Sequence, residues 1–376
     1  MMTLIKKVLF NSVFCFIFSW FFYIFHFKRE EERIDCLTAL KKYYNPQKSS
    51  CIREHNVINN HKYNLQIVIP CYNVDKFLNK CIDSILRKTT NYLISIILID
   101  DGSTDNTSKI CDKYAAIDSR IVVIHQQNKG FSGARNSGLD LINSDFLMFI
   151  DSDDYLDANF DLDGTLNKAY QLNKNVNDTI LEFGFIRERD NIFFGKCLPK
   201  KGYIRPSNYK GFAWGKIFPS NIFSNIKFPL NYWFEDTFIK MIVLFLNNVK
   251  CFGTPIVGYV YKDNKNSITH NYRNNKKSLD SFYIMSSLLE DAKELNIEFS
   301  RFYSDTILWQ VVCTYTRTKH LEKNIKRSIF YNTVNLFNKY KFSQPISKKY
   351  YYLYKSILNK DIKAYNSICS LLCKSK

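Results

Sequence analysis

The stretch Ser95–Thr107, SIILIDDGSTDNT, decides the fold class. Its apolar run ends in Asp100 and Asp101, and the turn that follows is rich in residues that favour the start of a helix. An apolar run that gives way to a helix start predicts a buried strand and then a helix. The two carboxylates are therefore predicted to stand at the carboxyl end of a strand.

The same alternation continues on both sides of this stretch. Alternating strands and helices at this spacing predict an α/β fold, with a mainly parallel central sheet covered on both faces. In such a sheet, ligands bind beyond the carboxyl ends of the strands. The predicted strands are 66–70, 95–99, 121–125 and 145–150, and the predicted helices are 74–87, 105–117 and 133–141.

A second acidic cluster follows the fourth predicted strand. Asp151 and Asp153 are separated by Ser152. Alternate residues of an extended chain point the same way, so the two carboxylates can face one hard cation. We expect Mn²⁺ or Mg²⁺ here, bound together with a diphosphate. An acidic turn or a helix cap would explain an isolated pair of this kind, but the neighbouring motifs favour the metal.

The segment Asn128–Gly138, NKGFSGARNSG, lies between the two acidic clusters. Gly130 and Gly133 permit close approach of the backbone, and a helix start would point its amides at the same edge. Arg135 would add a fixed positive charge for phosphate. Tight packing of a helix against the sheet explains the same small residues, and both interpretations can hold together.

The run Val8–Phe27 carries no charge and has about the length that crosses a ~30 Å hydrocarbon layer. It predicts a single-pass membrane anchor, because no small-residue cleavage site follows it as in a signal peptide. More Lys and Arg follow the run than precede it, which favours a catalytic domain on the cytoplasmic side. The predicted divisions are an N-terminal segment at 1–27, a stalk at 28–62, a catalytic domain at 63–275 and a basic helical region at 276–376.

The formal net charge of +18 favours an anionic partner, either membrane phospholipid, nucleic acid or an acidic substrate. No zinc finger, RNA-recognition or homeodomain pattern accompanies the charge, so we expect no nucleic-acid partner. The basic, tyrosine-rich tail predicts either contact with an anionic membrane or an ordinary packed appendage. The eleven cysteines are scattered and odd in number, which predicts buried free thiols.

Five motifs in a fixed order resemble the family 2 glycosyltransferases, which have a Rossmann-like GT-A fold. The resemblance implies inverting transfer of a hexosyl or N-acetylhexosaminyl group from a nucleotide-sugar donor, with UDP-sugar favoured. It also implies metal dependence and a glycan or glycolipid hydroxyl as the acceptor. The motifs are VIPCYN, LIDDGSTD, NKGFSGARNSG, FIDSDD and FEDTF, all within residues 65–261.

The resemblance further implies roles for single residues. Asp236 is similar to the family's catalytic base, and Asp153 is similar to its metal ligand. We therefore expect the side chains of Asp101, Asp153 and Asp236 to gather around one cleft. The expected nucleotide site comprises Pro70, Tyr72, Asn73, Asp100, Asp101, Arg135 and Asp151, and the expected acceptor side comprises Trp214, Lys216 and Glu235.

These residue types suit the chemistry that the resemblance implies. Inverting transfer needs a base that takes the proton of the acceptor hydroxyl, and a carboxylate within hydrogen-bond reach can do so. A metal ion offsets the charge that develops on the departing diphosphate. Without the other motifs, Glu235 and Asp236 would be interpreted as the acidic start of a helix.

Other interpretations stay open at this point. The segment Gly130–Ala134 approaches the G-x-S-x-G elbow of serine hydrolases, with Ser132 as nucleophile, but its fifth residue is Ala. A nucleotidyltransferase also needs a nucleotide, a metal and carboxylates, but its basic, glycine-rich first loop is absent here. The segment Tyr259–His270 predicts a surface loop, with closure over the donor as the alternative. A non-enzymatic scaffold would explain the charge but not the ordered acidic motifs.

Overall fold

The computed structural model describes most of the chain, which forms two compact units. The strand unit comprises residues 49–231 and 238–264, and the helical unit comprises residues 36–48, 232–237 and 271–374. Within the described residues, no helix has the length and apolar character needed to cross a membrane. The predicted anchor at 8–27 lies outside them and stays a prediction. The described residues are 36–55, 60–175, 178–246, 249–264, 271–273 and 275–374.

Strands and helices alternate through the first half of the strand unit, as the sequence predicted. The seven predicted elements are confirmed, with small shifts at their ends. Helix α1 (Cys36–Tyr43) precedes them and belongs to the helical unit. The elements are β1 (Tyr63–Cys71), α2 (Asp75–Leu86), β2 (Ile94–Asp100), α3 (Thr107–Ile117), β3 (Ile121–His125), α4 (Gly130–Leu139) and β4 (Ser144–Phe149).

The second half of the strand unit adds shorter strands and a long final one. Only a mixed pattern was predicted for this region, since its aromatic, Gly and Pro residues follow no sustained period. The elements are β5 (Tyr155–Leu156), α5 (Leu162–Leu172), β6 (Thr179–Arg189), β7 (Ile192–Cys197), β8 (Gly202–Tyr203), β9 (Lys216–Pro219), α6 (Thr237–Met241) and β10 (Lys250–Lys262).

One sheet joins these strands in the order β3-β2-β1-β4-β9-β6-β10-β5, with β7 beside β6 and β8 beside β10. The longest registers are parallel. They join β1 to β2, β1 to β4, β2 to β3, and β6 to β10. The predicted mainly parallel sheet is therefore confirmed. Strand β9 is antiparallel to both of its neighbours, an insertion that the sequence did not indicate.

The registers place the ends of the first strands in one row. Cys71 at the end of β1 pairs with Asp100 at the end of β2, and Asp100 pairs with His125 at the end of β3. Helix α4 packs closely on this sheet, because a Cβ added to Gly138 would lie 2.4 Å from Val68 Cγ1. The packing role expected for the small residues of this helix is therefore confirmed at Gly138.

The helical unit contains the C-terminal helices α7 (Asp280–Glu294), α8 (Arg301–Thr318), α9 (Lys323–Tyr340), α10 (Lys348–Leu358) and α11 (Ile362–Lys374), which confirms the predicted helical region. The apolar faces of the last two helices are buried in this unit, including Leu353 and Ile368. A packed appendage therefore accounts for the tail, and membrane contact of its basic face stays a prediction. The described cysteines are free thiols, mostly buried.

The predicted domain limits at residues 63 and 275 stay a prediction. Residues 49–62 belong to the strand unit. Residues 232–237, which include the acids of the FEDTF motif, belong to the helical unit, as does α1.

Candidate active site

Asp100 is a buried carboxylate that organises the turn after β2. It accepts hydrogen bonds from the Ser103 backbone N–H at 3.0 Å, from Ser108 Oγ at 2.6 Å and from His125 Nδ1 at 2.8 Å. Burial acts to raise the pKa of Asp100, but these hydrogen bonds together hold it below its usual value. The carboxylate therefore stabilises the turn after β2, and its expected place near the nucleotide stays a prediction.

His125 was not identified from the sequence, although it also ends a parallel strand. Its two ring nitrogens contact Asp100 at 2.8 Å and Asp112 at 2.9 Å. The hydrogen bonds to these two carboxylates raise the pKa of His125. The rule that ligands bind at strand ends would have identified this position, had imidazole been considered with the carboxylates.

Asp101 ties the turn after β2 to the loop after β3. Its Oδ1 accepts hydrogen bonds from Gln126 Nε2 at 2.6 Å and from the Lys129 backbone N–H at 2.8 Å. Gly102 has a φ of 74°, and an added Cβ would lie 3.0 Å from the backbone nitrogen of Asn128. This close approach explains the glycine after the two aspartates. Contact of Asp101 with a nucleotide base stays a prediction.

The loop after β1 is tied to the same turn. Asn73 has a φ of 52°, in the left-handed region, and its Oδ1 accepts from the Thr104 backbone N–H at 2.8 Å. The Asn73 backbone N–H donates to Ser103 Oγ at 3.2 Å. Beside it, Tyr72 is 49% exposed and Pro70 is half-buried. An exposed aromatic ring next to fixed polar groups is suited to stacking on a planar ligand.

Asp151, the first acid after β4, is paired with Arg135 of α4. Arg135 Nη2 donates to Asp151 Oδ1 at 2.7 Å, and the Arg135 side chain is only 4% exposed. The guanidinium carbon also lies 5.5 Å from the centre of the Phe228 ring. The positive charge predicted to face phosphate is therefore buried and directed at Asp151. A direct contact of Arg135 with phosphate stays a prediction.

Asp153 lies in the same acidic loop and is partly exposed. Its Oδ2 accepts a hydrogen bond from Asn264 Nδ2 at 3.2 Å. Burial, followed by the negative charge of Asp151, raises the pKa of Asp153. A carboxylate disfavoured by a neighbouring like charge is a position where a cation would be favourable.

The described residues contain no group of three or more His, Cys, Asp and Glu that could hold a metal ion. Mg²⁺ does not need such a group, because it commonly binds one or two protein carboxylates and completes its shell with water and substrate phosphates. Asp153, with Asp151 beside it, fits a cation bound in this way.

Asp154 and Tyr259 connect the acidic loop to β10. Buried Asp154 accepts hydrogen bonds from Tyr259 Oη at 2.8 Å and from the Lys262 backbone N–H at 2.7 Å. Tyr259 Oη in turn accepts from the Asp151 backbone N–H at 3.1 Å. Burial, then the charges of Asp153 and Asp151, raises the pKa of Asp154 well above its usual value. Neither residue was assigned to the site from sequence, and the surface loop predicted from Tyr259 onward is wrong for residues 259–262, which belong to β10 with Tyr259 fully buried.

Trp214 and Lys216, expected on the acceptor side, are buried inside the strand unit. The Trp214 ring stacks between Phe212 and Tyr259, with centroid distances of 4.4 and 4.5 Å. Lys216 Nζ lies 3.4 Å from Glu182 Oε1, with side-chain exposures of 1% and 5%. These side chains therefore act in packing and in a buried ion pair. A direct part in acceptor binding stays a prediction.

Glu235 and Asp236 belong to the helical unit and directly precede α6. Glu235 is buried and Asp236 is partly exposed. The turn that presents them is closed by a hydrogen bond from the Thr237 backbone N–H to the Phe234 carbonyl at 3.0 Å. The two acids therefore directly precede a short helix whose first turn contains no acidic residue. The expected convergence of Asp236 with Asp101 and Asp153 stays a prediction.

The serine hydrolase interpretation has no support in the structure. Ser132 is buried in the first turn of α4, and its Oγ has no hydrogen-bond partner among the described residues. A nucleophilic serine needs a base within hydrogen-bond reach. His270, a histidine downstream of Ser132, lies outside the described residues.

Comparison with known proteins agrees with the motifs. Residues 66–208 match the model of glycosyl transferase family 2. The glycosyltransferase GlyA of Streptococcus pneumoniae is 27% identical over 222 residues, 54% of this chain and 31% of that protein. The putative glycosyltransferase EpsH of Bacillus subtilis is 28% identical over 229 residues, 58% of this chain and 65% of that protein. The chain thus spans less than two thirds of either relative.

Solved structures support the fold. S. aureus TarS, residues 1–349 in complex with UDP-GlcNAc, superposes with a TM-score of 0.61 at 17% identity and covers 83% of this chain and 92% of that one. At this identity the likeness shows the fold, which is the α/β, GT-A-like fold with C-terminal helices. The family model over residues 66–208, the relatives and this fold therefore all support the similarity of this chain to the family 2 glycosyltransferases.

Proposed function

We propose that the chain transfers a sugar from a nucleotide sugar, with a UDP-sugar favoured, to a hydroxyl group of a glycan or lipid-linked acceptor. The observation that carries this proposal is the set of hydrogen bonds that ties together the loops after β1, β2 and β3. Asn73 bonds to Thr104, and Asp101 bonds to Lys129. Loops fixed in this way at the carboxyl edge of a parallel sheet support a preformed ligand site.

The nucleotide is assigned to these fixed loops. Tyr72 is exposed beside them, so its ring is available to stack on a base. Asp101 and Asn73 supply fixed polar groups for the base and the ribose. A UDP-sugar is favoured because the related fold of TarS was solved with UDP-GlcNAc.

The diphosphate and its cation are assigned to the acidic loop after β4. Asp153, with Asp151 beside it, would hold Mn²⁺ or Mg²⁺, and the cation would offset the charge of the departing diphosphate. Arg135 neutralises Asp151 through their hydrogen-bonded ion pair. Asp154 and Tyr259 hold the backbone of this loop against β10.

Asp236 is assigned as the general base. Its carboxylate takes the proton of the acceptor hydroxyl while the hydroxyl oxygen bonds to the anomeric carbon. The bond between that carbon and the diphosphate oxygen breaks on the opposite side, so the configuration inverts and the nucleoside diphosphate leaves. The partial exposure of Asp236 suits a base that must reach an acceptor.

We further propose that the chain acts at a membrane, held by residues 8–27 with the catalytic domain on the cytoplasmic side. The uncharged N-terminal run and the net charge of +18 support this location. Fractionation of cells with and without residues 8–27 tests the anchor, and protease access to the catalytic domain in sealed vesicles tests the orientation. Recovery of both forms in the soluble fraction would contradict the proposal.

The activity is tested with the purified full chain in detergent and a panel of nucleotide sugars. We expect release of nucleoside diphosphate, fastest with a UDP-sugar, and loss of that release on chelation of divalent cations with EDTA. Titration with UDP in the presence of Mn²⁺ gives a readout that needs no acceptor. Release of pyrophosphate would favour a nucleotidyltransferase, and failure to bind any nucleotide would contradict the proposal.

A further inference from the structure

The segment that carries Glu235 and Asp236 is held by residues of other parts of the helical unit. Asp280 Oδ2, at the first position of α7, accepts a hydrogen bond from the Trp233 backbone N–H at 2.9 Å. The guanidinium carbon of Arg317, in α8, lies 3.7 Å from the centre of the Phe234 ring. Two helices outside the matched family segment, 66–208, therefore hold the two residues directly before the acidic pair.

Asp280 is a fully buried acid with two partners. Its Oδ1 accepts from Tyr44 Oη at 2.8 Å, and its Oδ2 accepts from the Trp233 backbone N–H. Burial raises the pKa of Asp280, and the two hydrogen bonds oppose this rise. A buried carboxylate is costly unless it is hydrogen-bonded, so these contacts fix both the acid and the backbone that it binds.

Arg317 is a half-buried cation whose position is also fixed. Its Nη1 donates to Ser281 Oγ at 2.9 Å, and its flat face covers the Phe234 ring. Burial lowers the pKa of Arg317, whereas Cys313, Asp236 and Glu235 favour its charged form. Arginine stays protonated in proteins, so a positive charge stands near the acidic pair.

The backbone at this point needs such support. Phe234 has a φ of 64°, an unusual conformation for a residue with a large side chain. A backbone held in this region is strained and persists where the surrounding contacts hold it in place. The hydrogen bond from the Trp233 backbone N–H to Asp280 fixes the residue before Phe234, and the contact with Arg317 fixes the Phe234 ring.

We propose that Asp280 and Arg317 are positioning residues for Asp236, so that the C-terminal helices take part in setting the rate of sugar transfer. This inference rests on the proposed function, in which Asp236 is the general base. Neither Asp280 nor Arg317 touches the donor or acceptor in this account. Each acts through the backbone or ring that precedes the base.

The test uses the full-length protein and compares Asp280→Ala and Arg317→Met with the wild type. Because a small misplacement of a catalytic group costs about 100-fold in rate, we expect kcat to fall by at least about tenfold in each variant. The dissociation constant of UDP should stay within about twofold, since the proposed nucleotide site lies in the strand unit. Arg317→Lys keeps the charge and should recover part of kcat.

Tyr44→Phe is the matched control. It removes the other hydrogen bond to Asp280 and leaves the bond to Trp233 in place. We expect this variant to keep kcat close to the wild-type value. An equal loss of kcat in Tyr44→Phe and Asp280→Ala, or a parallel loss of UDP affinity, would show a general structural role and overturn the inference.

Different results would contradict the positioning role and the proposed function. If Asp236→Asn is inactive while folded Asp280→Ala and Arg317→Met keep wild-type kcat, the positioning role is wrong and the general base stands. If Asp236→Asn keeps wild-type turnover, the assignment of the base is wrong. If a variant does not fold, Asp280→Asn and Arg317→Gln take its place, because they remove the charge and preserve part of the shape, and the same fall in kcat is expected.

Discussion

The buried guanidinium of Arg135 donates a hydrogen bond to Asp151 at 2.7 Å, which joins helix α4 to the acidic loop after β4. Asp151 and Asp153 are two negative charges in one short loop, and Arg135 offsets the first of them. The expected role of the second carboxylate, Asp153, as the metal ligand stays a prediction.

We expect Arg135→Met to weaken both the fold and the binding of the donor. Removing one partner of a buried ion pair costs about 3–5 kcal/mol, but Asp151 is 28% exposed, so water should reduce the loss to roughly 1–3 kcal/mol. Urea denaturation measures the change, and UDP titration measures the binding. Arg135→Lys is the control that keeps the charge. Unchanged stability and UDP affinity in Arg135→Met would contradict the role given to this pair.

The contacts of His125 with Asp100 and Asp112 predict a pH-dependent stabilisation. Because these contacts raise the pKa of His125 in the folded state, the stabilisation is full below the ordinary value of about 6.5 and is lost as pH rises through the raised value. The pKa of Asp100 is lowered, so the stabilisation from Asp100 has the opposite pH dependence. This stabilisation is lost only in acid, as pH falls below about 4.

His125→Gln should therefore lower the free energy of unfolding more at pH 5.5 than at pH 8.5. Urea denaturation of both proteins at the two pH values provides the measurement. Asp112→Asn, which removes the more exposed of the two partners, should show a smaller change of the same sign. An equal effect of His125→Gln at both pH values would mean that the imidazolium does not stabilise the fold.

The first half of the strand unit was predictable because its strands and helices have distinct periods. Parallel strands bring their carboxyl ends to one edge, so Asp100 and Asp101 could be placed there from sequence. The hydrogen bonds of these two residues could not be predicted, since their partners lie on other loops. Tyr259 shows this most clearly, because it bonds to Asp154 from a strand about a hundred residues further along the chain.

The second half was harder to predict for a physical reason. Aromatic residues and glycine dominate residues 211–218, and such a segment fits a buried strand as well as an exposed loop. In the structure, only the last three of these residues belong to a strand, the short antiparallel β9 between β4 and β6. Lys216 is consequently buried. A lysine is almost never fully buried unless it is paired.

The buried pair of Lys216 and Glu182 gives a prediction that separates stability from activity. Lys216→Met leaves Glu182 buried without its cation, so we expect a loss of about 3–5 kcal/mol in the free energy of unfolding. The double variant Lys216→Met with Glu182→Leu should recover much of this loss. Urea denaturation of the single and double variants measures the coupling.

The same variants also test whether Lys216 contributes to acceptor binding. If the lysine acts through the ion pair, the folded double variant should keep a KM for the acceptor close to that of the wild type. A large rise in KM in a double variant of restored stability would instead favour direct contact of Lys216 with the acceptor.

We propose that Asp153 serves the donor and its cation, whereas Asp236 serves the proton transfer. These roles are separated by measuring UDP affinity in the presence of Mn²⁺, and sugar transfer, for Asp153→Asn and Asp236→Asn side by side. We expect Asp153→Asn to lose metal-dependent UDP binding and transfer together, and Asp236→Asn to bind UDP like the wild type and transfer no sugar. Wild-type transfer by either variant, or equal loss of UDP binding in both, would contradict these roles.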